Sequence, residues 1–72
     1  MLMISYEPFW ETLKAKGETT YSLIYKYGIS AATIDRIKHG GGITTQKIND
    51  FCEILDCEVS DIIRYIKPDK KD

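Results

Sequence analysis

Side chains able to do chemistry are few in this 72-residue chain and unevenly placed. One histidine, His39, and two cysteines, Cys52 and Cys57, are all it has of imidazole and thiol. The cysteines do not form a C-x-x-C pair, and a single histidine cannot complete a zinc site with them. Cys52 shares an apolar stripe with Ile48, Phe51 and Leu55 and reads as a small buried hydrophobe. No nucleophile elbow, P-loop or pair of carboxylates on a helix face within an evident cleft is present, so an enzyme is not expected. Nor is any metal, cofactor or small-molecule ligand. What remains is a set of cations and hydroxyls between Thr19 and Lys47. Arg36 stands out in that set, because its planar fork can grip two acceptors at once.

Charge follows the same division. The formal net charge is −1. Between Thr20 and Lys47, however, Lys26, Arg36, Lys38 and Lys47 face Asp35 alone, a local balance of +3, leaving −4 for the remainder. The acid is concentrated in Glu7, Glu11, Glu53, Asp56, Glu58 and Asp61. Such a polarised molecule can turn a basic face toward an anion and an acidic one away from it.

The elements that must position these groups can be read from apolar spacing and punctuation. A first helix from about Tyr6 to Lys16 tolerates Pro8 in its first turn, buries Phe9, Trp10 and Leu13, and stops at Gly17. A second carries Leu23, Ile24 and Tyr27 on one stripe and ends before Gly28, where positive φ suits glycine. Ile29 is an apolar plug, and Ser30 can cap a third helix that buries only Ile34 and Ile37 and ends at Gly40. So narrow a stripe means a helix docked on one side and free on the other. A fourth helix begins after the Thr44 cap. A fifth starts near Ser60, buries Ile62, Ile63 and Ile66, and ends at Pro68. The expected fold is all-α with one core, and neither repeats nor strand-like alternation appear. Residues 1–67 form one domain and 68–72 a disordered charged tail. At this length a folded chain buries roughly 60% of its extended surface. The apolar runs are too short to span a membrane, and Met1-Leu2-Met3-Ile4 lacks the basic start and long apolar stretch of a secretion signal, which makes the cytoplasm the expected location.

Two short helices joined by a tight turn, the second with its outer face free, are the organisation of a helix-turn-helix, whose second helix enters the DNA major groove. Thr19, Leu23, Gly28, Ile29, Ser30, Thr33, Ile34, Arg36, Ile37 and Gly40 resemble the pattern of the Cro/repressor-type (XRE-like) regulators of bacteria and phages. The run from Ile48 to Ile63 is similar to that family's fourth and fifth helices, and Ile4-Ser5-Tyr6-Glu7-Pro8-Phe9-Trp10 looks like the opening of its short single-domain members. The resemblance implies a compact five-helix, lambda-repressor-like domain that binds double-stranded DNA as a sequence-specific transcription regulator, a repressor in the first instance.

On that reading the helix around residues 30–39 enters the groove. Arg36 is placed to reach guanine O6 and N7, with pairing to a surface carboxylate as the other use of its fork. Ala31 and Ala32 stand where relatives often carry Gln, Arg or Ser, which leaves Ala32 a methyl contact with thymine at most. Thr33 has three uses open to it: a thymine methyl, a phosphate, or a back-bond within its own helix. Asp35 is expected to pair with Lys38 or His39 rather than to accept from cytosine, because a bare carboxylate in the groove repels phosphate. The phosphate contacts expected are Thr19, Thr20 (in place of the family's Gln), Tyr21, Lys38, His39, Thr45 and Lys47. Tyr21 and Tyr25 could equally serve packing. One short helix reads few bases, so a homodimer on DNA is expected, its contact built from Ile62, Ile63, Tyr65 and Ile66 unless these only close the core. The competing function is a protein-interaction module or antitoxin-like partner that keeps the fold with little base reading.

Overall fold

The computed structural model describes residues 3–67, and its elements depart from five helices at both ends of that span. In chain order they are strand β1 (Ile4–Ser5), helices α1 (Glu7–Ala15), α2 (Thr20–Tyr25), α3 (Ala31–Lys38) and α4 (Thr45–Leu55), a 3-10 turn at Val59–Asp61, and strand β2 (Arg64–Tyr65). The four expected α-helices are present. The expected fifth helix is replaced by the 3-10 turn and β2. The tail at 68–72 lies outside the described residues.

The two strands pair antiparallel, Ile4 opposite Tyr65 and Ser5 opposite Arg64, so the fold is not purely helical. The Ile66 N–H extends the pairing by donating to the Met3 carbonyl at 2.6 Å. The physical reason lies in the run Ile62-Ile63-Arg64-Tyr65-Ile66, where β-branched and aromatic side chains favour extended backbone. One capped 3-10 turn is a poor nucleus for a helix, since ordering the first turn costs more than its hydrogen bond returns. A partner strand near the start of the chain tips the choice.

The core gathers one apolar face from each helix. Phe9 and Leu13 of α1, Leu23 of α2, Ile34 and Ile37 of α3, Phe51 and Leu55 of α4, together with Tyr6, Ile29 and Ile62, are buried. Phe9 is central, with ring centroids 5.0 Å from both Trp10 and Phe51 in edge-to-face geometry. Trp10, Ile24, Cys52 and Ile63, expected inside, only flank this core, and Ile48 is half-buried. The C-terminal segment is tied to α1 by the Thr12 hydroxyl, which donates to the Asp61 carbonyl at 2.8 Å, and by the exposed Arg64–Glu7 ion pair at 3.1 Å.

Candidate nucleic-acid interface

Local chemistry aims α3. After α2 the chain turns left-handed at Gly28 (φ 75°), a conformation that costs glycine least. Ile29 then plugs the core, and the Ser30 hydroxyl accepts from the Ala32 N–H at 3.1 Å, capping α3 as its sequence suggests. Thr33, Ile34 and Ile37 face inward. Ala31, Ala32, Asp35, Arg36, Lys38 and His39 are exposed. Gly40 (φ 74°) ends the helix, and the Gly41 N–H returns to the Arg36 carbonyl at 2.7 Å.

This arrangement sorts the expected contacts. Arg36 and Ala32 share the free face. Thr33 does not: it is only 7% exposed, so it is a packing residue and leaves the base-reading set. Asp35 is held locally, as its spacing suggests. His39 Nδ1 sits 3.5 Å from the Asp35 carboxylate and 2.9 Å from its carbonyl. With two acceptors facing it, Nδ1 is assigned the ring proton. Thr44 caps α4, its hydroxyl accepting from the Lys47 N–H at 3.2 Å, which sets Thr45 and Lys47 at the first turn of that helix.

The start of α2 holds a residue that sequence reasoning missed. Thr19 caps α2, its hydroxyl accepting from the Ser22 N–H at 3.1 Å while the Thr19 N–H donates to Ser22 Oγ at 3.0 Å. The Ser22 hydroxyl also donates to Glu18 at 2.8 Å, and the Tyr27 hydroxyl donates to the other Glu18 oxygen at 3.1 Å. These two hydroxyls hold the Glu18 carboxyl below its usual range. A fixed carboxylate therefore stands beside Thr19 and Thr20, two residues outside the span whose charge looked most basic. The signal was available, because Glu18 precedes the capping Thr19 directly. Next to it on α2, Tyr21 and Tyr25 are 70% and 73% exposed with ring centroids 4.6 Å apart, which rules out core packing for either.

The dimer patch expected from a fifth helix does not form as one face. Ile62 is fully buried and Ile63 half-buried, so Ile62 belongs to the core. Tyr65 and Ile66 are 58% and 39% exposed, alongside Val59. Cys52 and Cys57 are free thiols in a groove shared with Ile48, Val59 and Ile63. Burial, reinforced by the neighbouring Cys52 and Asp61, pushes the Cys57 thiol up to about 11. Among the described residues no helix is long and apolar enough to cross a membrane, and no three potential ligands cluster as a metal site would need.

A capped helix docked by three inward residues and free along its outer face, behind a glycine turn and a shorter helix, defines a helix-turn-helix DNA-binding domain. The chain belongs to the Cro/C1-type helix-turn-helix DNA-binding domain family, whose model matches residues 9–68. Its fold is similar to that in the crystal structure of the transcriptional regulator VanUg, with a TM-score of 0.81 over 92% of this chain and 88% of that one, at 23% identity. No curated protein matches the chain in sequence.

Proposed function

We propose that the protein is a sequence-specific regulator of transcription that inserts α3 into the major groove of double-stranded DNA and acts as a repressor by occupying its operator. The observation that carries this reading is the split of α3 into a buried face of Thr33, Ile34 and Ile37 and a free face of Ala32 and Arg36. Arg36 reads a guanine in bidentate fashion, and Ala32 offers its methyl to a thymine. Phosphates are held by Thr19, Thr20 and Tyr21 on one side of α3 and by Lys38, His39, Thr45 and Lys47 on the other. Glu18 opposes the first group, so the second carries more of the backbone attraction. Two copies bind together on a near-palindrome.

A polarisation titration tests this, comparing mixed DNA with a site selected from a random pool at low and high salt. Tighter binding to the selected site and a steep loss of affinity with salt are expected. The exposed Tyr21–Tyr25 pair favours the second reading, a protein-interaction module. Absence of binding to either DNA at low salt would leave that reading in place of the first.

A further inference from the structure

The phenol of Tyr6 is not accounted for by helix capping or by packing alone. Tyr6 occupies the position before α1, yet its side chain makes no capping bond. Ser5 supplies a nearby acceptor instead, its Oγ taking the Glu7 N–H at 3.1 Å. The Tyr6 ring is buried, and its hydroxyl crosses the fold to donate to the Gly41 carbonyl at 2.6 Å. The same Gly41 donates its N–H to the Arg36 carbonyl at 2.7 Å. Its peptide groups are therefore held on both sides, from the start of the chain and from α3.

Gly41 also runs alongside the arginine. A methyl group placed on Gly41 would lie 3.7 Å from Arg36 Cβ and 3.8 Å from Cγ. The Gly41 backbone therefore leaves about a methyl group's space beside the aliphatic stem, and what it holds directly is the Arg36 carbonyl. An arginine whose backbone is free to shift must be ordered on binding, which weakens the contact. A backbone tied by a hydrogen bond from the core removes part of that cost in advance.

We propose that Tyr6 is a positioning residue for base reading: through its hydrogen bond to Gly41 it fixes the peptide that holds the Arg36 carbonyl, and with it the backbone from which the Arg36 side chain leaves α3. This rests on the reading of Arg36 as the base-contacting residue. Tyr6 touches no DNA. Its contribution is to sequence discrimination rather than to phosphate grip, which Lys47 and its neighbours supply from the other side of the glycines. Burial raises the Tyr6 phenol above its ordinary range, so it remains a donor throughout neutral pH.

The test is Tyr6→Phe in the full chain, which keeps the ring and removes the donor. The ratio of affinities for selected and mixed DNA should fall about three- to tenfold, the worth of one net hydrogen bond, with mixed-DNA binding unchanged. In an Arg36→Ala background the same change should do nothing further. Equal weakening on both DNAs, or an unchanged ratio, would overturn the proposal.

Two spectra separate its failure from that of the reading beneath it. In free Tyr6→Phe protein the Gly42 amide, which shares a peptide group with the Gly41 carbonyl, and the Arg36 Cβ and Cγ resonances should all shift. If they stay in place, Tyr6 does not position the stem, whatever DNA shows. In wild type, the Arg36 Cβ and Cγ protons should show Overhauser contacts to Gly41 Hα, and their absence would overturn the proposal even were Tyr6→Phe unable to fold. An Arg36→Ala protein that keeps its discrimination defeats the base-reading role instead, leaving these spectra to decide what Tyr6 holds.

Discussion

On the proposed reading Arg36 carries the burden of base contact, because Lys38 and His39 are assigned to phosphate and the other exposed residues of α3 are short. Ala31 and Ala32 offer methyls, Thr33 is buried, and Asp35 is occupied by His39. Arg36→Ala should therefore cost on the order of 1–3 kcal/mol on a selected site and flatten preference at one base pair. Lys47 is proposed to act differently, as a point charge at the first turn of α4. Lys47→Ala should weaken selected and mixed DNA about equally and lower the slope of log affinity against log salt by about one unit. Paired titrations of the two variants distinguish these patterns. If both lower both affinities by one factor, Arg36 is only another phosphate contact. Cys57 gives a prediction of another kind. Its thiol is raised from 9.0 to about 11, so its thiolate share at neutral pH is depressed on the order of a hundredfold. Alkylation by iodoacetamide should be correspondingly slow in the folded protein and recover in denaturant. Rapid labelling of folded Cys57 would show that the groove is open to water.

Helix α2 is held in the core through a single fully buried residue, so truncation there is costly. Leu23 is the only fully buried side chain of the six-residue α2, and Leu23→Ala should lose roughly 2–5 kcal/mol. A melting curve like that of wild type would contradict that packing role. At the end of α4, Asp56 adopts the left-handed conformation (φ 50°) that glycine adopts most easily. Asp56→Gly should leave the melting temperature equal or higher, by about 1 kcal/mol at most once the greater freedom of unfolded glycine is counted. The helices were legible in the sequence because their signals are local. Ser30, Thr44, Gly28 and Gly40 act within a turn of themselves. The hairpin of β1 and β2 was not legible, because each strand is two residues long and its partner is at the other end of the described chain. An apolar run such as Ile62 to Ile66 satisfies a helix or a strand, and only the distant partner decides. The interface shows the same limit. Spacing proposes Arg36 and Lys47 as contacts, and the structure leaves Arg36 exposed on α3 with Lys47 in the first turn of α4. The Tyr6–Gly41 bond spans 35 residues and Thr33 differs from its exposed neighbours only by helical phase, so neither could be read with certainty before the fold was known.

As a whole, the molecule is weakly equipped to find a site alone. Its net charge is −1, the cation excess between Thr20 and Lys47 is only +3, and the Glu18 carboxylate stands at the start of α2. One α3 with a single proposed base-reading donor discriminates too few base pairs to select an operator from a genome. Two copies related by a twofold axis, with α3 helices ~34 Å apart, double both the base contacts and the phosphate contacts on successive turns of the groove. The surface left for such a contact is narrower than a fifth helix would have offered. Ile62 is spent in the core, and the exposed candidates are Tyr65 and Ile66 at β2, with Val59 and part of Ile63 on the groove beside Cys57. We therefore expect a monomer or weak dimer without DNA and a two-to-one complex on a palindromic site. Sedimentation with and without a selected operator measures this. Tyr65→Ala and Ile66→Ala should each reduce affinity for the full palindrome while leaving binding to an isolated half-site intact. A one-to-one complex on the palindrome, with both variants binding it as tightly as wild type, would show that the protein acts as a monomer and that these residues only finish the hairpin.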